Sequence, residues 1–312
     1  MTAFRLGINT CFAVKRWPRP TDWAPIVRDE LGLDLVQHSL DLVDTEAGQA
    51  ELRREATALH GACDSAGLAL HSTFTGLAAY SSNLLLHPEP AWRSRAMEWY
   101  RRVIDFTAAA GAASTGGHVG ACSVAEWRDP RLRAERWQEL QASLRLLAAD
   151  ARRAGLDSLM IENLAAVREP SSMANVRSLL TDGDADHVPI VLCLDVGHQC
   201  VPGATGAEAD PYAWLAQLGS FASVVQLQQS DAVADHHWPF TPAANRSGRI
   251  EANRVLRAIE ASGATEVALI LEIIPPFEAD DDQVVDELRV SAEYWRQAGA
   301  TWTGKDVDES GT

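Results

Sequence analysis

The sequence lacks the marks of several large protein classes, and these absences narrow its function first. It is short of positive charge, since 27 basic against 43 acidic residues give a formal net charge of −16. A surface of this sign argues against a nucleic-acid or anionic-membrane partner, because both need basic patches. The five cysteines form no CxxC pair, which disfavours a zinc knuckle or a disulfide framework. Buried free thiols in a reducing cytoplasm are the better interpretation.

The long apolar runs of membrane proteins and the glycine-rich turn of dinucleotide-binding proteins are also missing. No run approaches the ~18 apolar residues of a membrane span, and the N-terminal segment MTAFRLGINTCFAV lacks the pattern of a signal peptide. We therefore expect a cytoplasmic protein without a membrane partner. No GxGxxG follows the first apolar run, which disfavours an open dinucleotide-binding sheet.

Short apolar runs alternate with longer helical stretches along the whole chain. The runs predict strands at Phe4–Asn9, Leu35–His38, Ala69–Thr73, Ser114–His118, Ser158–Glu162, Ile190–Asp195, Ser223–Gln228 and Val267–Glu272. The clearest helical patterns are Gln49–Ala66, Ala91–Ala110, Arg131–Ala154, Asn253–Ser262 and Asp282–Gln297. Eight alternations predict an α/β fold, a (β/α)₈ TIM barrel, as a single domain over residues 1–302. The polar residues 303–312 are predicted to be a disordered C-terminal tail.

Polar groups end the predicted strands on the side where TIM barrels place their active sites. Glu162, Asp195, Gln228 and Glu272 end the fifth to eighth runs, at intervals of 33, 33 and 44 residues, each close to one β–α repeat. A lone Asp often caps a helix, and a salt bridge can satisfy one buried Glu. Three carboxylates converging on one mouth, however, repel each other without a cation between them. These four residues are therefore predicted to bind a divalent metal.

The chemistry of this ligand set narrows the choice of metal. Three carboxylates and one amide supply only oxygen atoms, which favours Mn²⁺ or Mg²⁺ over zinc and leaves Co²⁺ open. Of the two glutamines in the seventh run, Gln228 is nearer the open end, so Gln226 is predicted to pack below it.

Four segments together resemble a known family. MIENL, LCLDVGH and LILEI, with the polar segment VQLQQSD between the last two, resemble the xylose isomerase-like TIM barrels over nearly the whole chain. This family includes sugar and sugar-phosphate isomerases and epimerases of the ketose 3-epimerase kind. The resemblance implies a divalent metal at Glu162, Asp195 and Glu272, with Gln228 where many members carry His. It also implies substrate contact by His198.

Further side chains are predicted to bind the substrate. His71 in the third run and His118 at the end of the fourth are predicted, with His198, to bind hydroxyls, although any one of them can be a structural histidine. The long segment DAVADHHWPFTPAANRSG after the seventh run contains His236 and Arg246. It is predicted to be a lid or substrate-selecting loop, and a surface or dimer-contact loop is the alternative. A homo-oligomer is left open.

The predicted function is that of an isomerase or epimerase acting on a small carbohydrate. Glu162 and Glu272 would transfer the proton of a carbon next to a carbonyl, through a metal-stabilised enediolate. The absence of a Walker-type loop leans toward an unphosphorylated or short sugar. A dehydratase or C-glycoside-cleaving lyase on the same scaffold is the runner-up, and a sugar-binding protein is the non-enzyme alternative. The ligand set and the net charge of −16 oppose an abasic-site endonuclease.

Overall fold

Eight parallel strands close into a barrel in chain order. The structure is a computed structural model that describes residues 2–302. The strands are β1 (Ala3–Asn9), β2 (Leu35–Ser39), β3 (Ala69–Phe74), β4 (Ser114–Gly117), β5 (Ser158–Glu162), β6 (Ile190–Asp195), β7 (Ala222–Leu227) and β8 (Glu266–Leu271). Because β1 pairs with both β2 and β8, the sheet has no free edge. The predicted TIM barrel is confirmed, and the predicted tail at 303–312 lies outside the described residues.

Helices connect the strands. They are α1 (Pro20–Pro25), α2 (Gln49–Ala66), α3 (Gly76–Tyr80), α4 (Pro90–Ala109), α5 (Val124–Arg128), α6 (Pro130–Ala154), α7 (Met173–Leu179), α8 (Pro211–Leu218), α9 (Pro242–Ser247), α10 (Ala252–Ala261) and α11 (Asp281–Thr301). The predicted helical period places the apolar face of α2 in the core, where Leu52, Ala56, Leu59 and Cys63 are buried. Among residues 2–302, no helix combines the length and hydropathy that crossing a bilayer requires.

Short helical turns lie between these elements. A π-helical turn continues α1 over Ile26–Glu30, and 3₁₀ turns cover Thr10–Ala13, Leu40–Leu42, Leu84–Leu86, Gly206–Ala209 and Gly219–Phe221. The first two 3₁₀ turns begin directly after β1 and β2. There the side chains of Asn9 and Ser39 accept hydrogen bonds from backbone N–H groups of the turn. These caps end the strands and direct the chain away from the barrel mouth.

The barrel interior is apolar in its middle and polar at its carboxyl end. Its middle is filled by Leu35, Phe74, Met160, Cys193, Val224, Ala268 and Ile270. Side chains two positions apart on a strand share a face. Met160, Cys193 and Ile270 are each followed two residues later by one of the predicted site carboxylates. Strand alternation therefore places all three carboxylates in the barrel mouth, one layer above the apolar middle.

One glycine allows β4 to pack tightly against β5. Gly116 has a φ of +142°, and a Cβ at this position would collide with the carbonyl group of Met160. Any side chain would push the strands apart at the level of the apolar middle. This strand therefore supplies its functional group, His118, from the residue after its end.

Candidate active site and metal centre

A cavity of about 270 Å³ opens at the carboxyl ends of the strands. Its polar lining includes Glu162, Glu272, His118 and His198, together with a segment of the loop after β7. The cavity has the size of a site for a small ligand, at the face where TIM barrels carry out their chemistry.

The three strand-end carboxylates are buried, and two of them, Glu162 and Asp195, are short of hydrogen-bond partners. Glu162 and Asp195 are 0% exposed and Glu272 is 4% exposed. Among the described residues, no donor forms a hydrogen bond with either oxygen of Glu162 or with Oδ2 of Asp195. Burial raises the pKa of Asp195 and of Glu272, and the negative charge of Glu162 raises both further. Buried carboxylate oxygens without donors are costly unless a cation neutralises them, so the residues present fit a divalent metal.

Side-chain ligand atoms gather around these carboxylates. Three sets each bring their atoms within 4.8 Å of one another, namely Glu162, Asp195 and His198; Asp195, His237 and Glu272; and His198, Asp235 and His237. Asp195 belongs to two of the sets and links Glu162 with Glu272. The predicted carboxylates are thus brought together, and the sets add Asp235 and His237. Both lie in the segment after β7 that was predicted to be a lid or substrate-selecting loop, and neither was predicted to bind metal.

Gln228 lies in this cluster, but its amide oxygen is already bound. Oε1 accepts a hydrogen bond from the backbone N–H of His237 at 2.6 Å. Nε2 donates to Asp195 Oδ1 at 3.1 Å and to Asp235 Oδ1 at 2.8 Å. If the amide were flipped, its NH₂ group would face the N–H of His237 and its oxygen would face the carboxylates of Asp195 and Asp235. The hydrogen-bond network therefore fixes the orientation described. The oxygen therefore turns away from the carboxylates, which differs from the metal-ligand role predicted for Gln228.

His237 lies against the cluster with a special backbone conformation and with contacts at both ring nitrogens. Its φ of +49° is unusual for a residue other than glycine. Its Nδ1 lies 3.1 Å from the carbonyl oxygen of Glu272, so Nδ1 carries a proton and donates it there. Its Nε2 lies 3.2 Å from Asp235 Oδ1. Burial lowers the pKa of His237, but the Asp235 carboxylate more than offsets this and raises it to about 10.

Two amides hold one oxygen of Glu272. Gln226 Nε2 donates to Oε1 at 2.9 Å, and Asn9 Nδ2 donates to the same oxygen at 3.3 Å. Both amides also donate to Gln37 Oε1, at 3.0 and 2.9 Å. Gln226 was predicted to pack below Gln228, and here it orients Glu272. The second oxygen of Glu272, Oε2, has His237 Nδ1 at 3.7 Å and can face a ligand.

Two histidines lie beside Glu162. Nε2 of His118 is 2.9 Å from Glu162 Oε2, and its Nδ1 is 3.0 Å from the carbonyl oxygen of Gly76. Because a carbonyl oxygen only accepts, Nδ1 carries a proton, and the other ring nitrogen, Nε2, is the one that faces the carboxylate. Nδ1 of His198 lies 2.7 Å from the carbonyl oxygen of Asn163. Both histidines line the cavity, where their predicted role places them.

The remaining predicted substrate contacts divide into two groups. His236 lines the cavity and stacks on Trp238, with ring centroids 3.8 Å apart. Arg246 is exposed on α9 and does not line the cavity. His71 is half-buried in the middle of β3, three residues before the strand ends at Phe74. The structure does not bring Arg246 or His71 to the cavity. Arg246 lies on the surface helix α9, and His71 lies three residues before the carboxyl end of β3, where the cavity opens.

The charged neighbours of His71 also show that it lies far from the cavity. Burial lowers the pKa of His71, and the charge of Arg5 lowers it further, while Glu266 acts in the opposite direction. Glu266 is the first residue of β8, at the amino end of the barrel. The charged neighbours of His71 thus belong to the end of the barrel opposite the carboxylate cluster.

Comparisons with known proteins agree with this architecture. A family profile described as "Xylose isomerase-like TIM barrel" matches residues 29–296. The crystal structure of a Rhodospirillum rubrum protein described as a candidate xylose isomerase is 34% identical, with a TM-score of 0.87 over 95% of this chain and 99% of that chain.

Two relatives carry the names of specific enzymes. D-erythrulose 1-phosphate 3-epimerase of Brucella abortus is 25% identical over 299 residues, which are 94% of this chain and 96% of that protein. D-psicose 3-epimerase of Clostridium cellulolyticum H10 has a TM-score of 0.65 at 15% identity, over 94% of this chain and 99% of that chain. The second likeness concerns the fold alone.

Proposed function

The chain belongs to the xylose isomerase-like TIM barrel family, and we propose that it is a divalent-metal-dependent ketose 3-epimerase. One observation carries the proposal: three buried strand-end carboxylates converge beside a cavity sized for a small ligand, and oxygens of Glu162 and Asp195 lack hydrogen-bond donors. The Brucella relative is named a sugar-phosphate epimerase, which supports an isomerase-class enzyme with a small carbohydrate substrate. The substrate proposed is a short ketose, free or carrying a terminal phosphate.

Glu162, Asp195 and Glu272 would hold the cation. Their oxygens are hard ligands, and this donor chemistry supports Mn²⁺, with Mg²⁺ and Co²⁺ as competitors. When bound, a divalent cation polarises a substrate carbonyl and offsets negative charge that develops on the substrate oxygens. The oxygens that lack hydrogen-bond donors in Glu162 and Asp195 are the observation that supports this assignment.

Glu162 and Glu272 are proposed as the acid–base pair. Inversion at a carbon next to a carbonyl requires a base on one face of the carbon and an acid on the other. Both side chains line the cavity, and each has a fixed environment. Two amides hold Glu272, whereas Oε2 of Glu162 lies 2.9 Å from Nε2 of His118. Because epimerisation is reversible, each glutamate would remove the proton in one direction and return it in the other.

The surrounding side chains are proposed to bind the substrate and to exclude water. His118 and His198 face the cavity beside Glu162, where they can bind hydroxyl groups. His236, which stacks on Trp238, lines the side of the cavity formed by the loop after β7. A covered site prevents solvent from protonating the intermediate before the second glutamate does.

Solvent exchange tests the proposal. Mn²⁺-loaded protein is incubated in D₂O with D-erythrulose, D-erythrulose 1-phosphate or D-psicose, followed by NMR and chiral chromatography. We expect deuterium at C3 together with the C3 epimer. Deuterium at the neighbouring carbon with an aldose product would indicate aldose–ketose isomerisation, and a deoxy product would indicate dehydration. Protein stripped with EDTA should show no exchange until Mn²⁺ is added, and exchange by metal-free protein would contradict the metal requirement.

A further inference from the structure

We propose that His237, a loop residue, supplies the fourth ligand of the metal centre through Nε2. Gln228, directly after β7, is then a positioning residue that holds His237 in place. The inference rests on the proposed function, because it requires a cation at Glu162, Asp195 and Glu272.

The first argument is the unsuitability of Gln228. An amide binds a cation through its oxygen, and that oxygen accepts the backbone N–H of His237 at 2.6 Å. Turning the oxygen toward Asp195 would leave this N–H without its partner and would lose the donor that now faces two carboxylates. A Cβ at Gly197 would collide with Cδ of Gln228, so the site provides only enough room for this side chain as it lies.

The second argument is the orientation of the His237 ring. Its Nδ1 donates to the carbonyl oxygen of Glu272 at 3.1 Å, which assigns the proton to Nδ1 and leaves Nε2 as the ligand atom. Histidines that bind metals usually donate their other ring N–H in this way. A ring nitrogen of His237 lies within 4.8 Å of ligand atoms of Asp195 and Glu272. The ring is therefore oriented in the same way as a metal ligand.

The third argument is that the backbone around His237 is fixed from several sides. The carbonyl oxygen of His237 accepts the N–H of Ile274 at 3.2 Å. The next residue, Trp238, forms two backbone hydrogen bonds with Gln229, of 2.9 and 3.0 Å. A side-chain-bearing residue with φ of +49° persists only where its surroundings determine it, and such residues cluster at functional sites. The loop is thus anchored at the residue that approaches the carboxylates.

Mn²⁺ binding tests the inference independently of activity. EDTA-stripped wild-type protein is titrated with Mn²⁺ by calorimetry, and pulsed electron paramagnetic resonance detects ¹⁴N nuclei coordinated to the bound ion. We expect one Mn²⁺ per chain with one imidazole coupling. Labelling with ¹⁵N-histidine should convert this signal to a ¹⁵N signal, which identifies a histidine ligand without any substitution.

Three substitutions then identify the ligand. His237→Asn is chosen because Asn tolerates a positive φ, and it should weaken Mn²⁺ binding at least about 100-fold and abolish the coupling. Gln228→Met should weaken binding about 10- to 100-fold, as is typical of a residue that orients a ligand, and should keep the coupling. His236→Asn is the matched control in the adjacent position and should change neither the affinity nor the coupling.

The outcomes separate this inference from the proposed function. If wild-type protein binds no Mn²⁺, the metal-dependent function fails, and this inference fails with it. If wild-type protein binds Mn²⁺ without a histidine coupling, or if His237→Asn keeps the coupling, only the inference about His237 is overturned. Circular dichroism and melting curves of each variant show whether a weaker affinity reflects unfolding.

Discussion

The half of the barrel mouth formed by β5–β8, the charged half, carries the buried carboxylates. The buried polar groups of the half formed by β1–β4, the neutral half, are amides, hydroxyls and imidazoles. Two buried histidines illustrate the difference. Burial lowers the pKa of His38, on β2, to about 3. Burial also lowers the pKa of His198, after β6, but the carboxylates of Asp195 and Asp235 raise it well above its ordinary value. Equal burial thus has opposite results, and the neighbouring carboxylates decide the sign.

The two halves are proposed to have different roles, because one contributes amides and the other contributes carboxylates. Asn9 and Gln37 come from the neutral half and meet Gln226 and Glu272 from the charged half in one hydrogen-bond network. Amides do not titrate, so they can fix a carboxylate without exchanging protons with it. The charged half is proposed to transfer protons, and the neutral half to hold the acid–base group in position.

The largest effect is expected from removing either glutamate. Glu272→Gln or Glu162→Gln should lower kcat/KM about 10³-fold, within the 10²- to 10⁴-fold range of general acid–base catalysis. If each glutamate serves one face of the carbon, each variant should retain solvent deuterium exchange with only one of the two epimers. NMR in D₂O with each epimer separately measures this. Equal exchange rates with both epimers would contradict the assignment of two bases.

A smaller loss is expected from the histidine beside Glu162. His118→Gln keeps a polar side chain but removes the imidazole whose Nε2 lies 2.9 Å from Glu162 Oε2, so kcat should fall about 10- to 100-fold. His71→Gln, outside the cavity, is the matched control and should stay within about twofold of wild type. A comparable loss in both variants would restore the substrate role predicted for His71.

Cutting the link between the two halves should have a milder effect. Gln226→Met removes the 2.9 Å donor to Glu272 while filling similar space. Glu272 then keeps only the longer bond from Asn9. We expect kcat to fall about 10-fold, as for residues that orient a metal-binding group. Steady-state kinetics at saturating Mn²⁺ checks this, and unchanged kcat would show that Asn9 alone holds the carboxylate.

The smallest effect concerns stability in the neutral half. The unfolded chain protonates His38 near pH 6.5, whereas the folded chain does so only near pH 3. Between these values the unfolded state binds the extra proton, so the free energy of unfolding should fall as the pH drops, by up to roughly 1.4 kcal/mol per pH unit. Urea unfolding of wild type and His38→Gln from pH 7 to pH 4.5 measures the difference. Identical slopes would show that His38 does not contribute.

The sequence allowed the barrel and its charged half to be predicted because both depend on local patterns. Strand alternation places Glu162, Asp195 and Glu272 inside the mouth wherever the exact strand ends lie. The direction of the Gln228 amide was not predictable, since it depends on a backbone N–H nine residues later. The approach of His237 also depends on how a loop folds back onto β8. No period in the sequence encodes such contacts.

His71 shows a second limit of the pattern. A strand prediction that ends near the correct residue does not give the height of each side chain along the barrel axis. β3 continues to Phe74, so His71 lies well below the mouth. The predicted end of the third strand, Thr73, is one residue short of the observed end at Phe74. His71 lies below the mouth with either end.

The apolar side chains that fill the middle of the barrel close the cavity on the side of the barrel interior. Substrate and product must pass the same rim, beside the loop that carries His236 and His237. Both epimers would occupy the same cavity beside Glu162 and Glu272. Each epimer should therefore be a purely competitive inhibitor of the conversion of the other, and the net direction of turnover would be set by the concentrations outside.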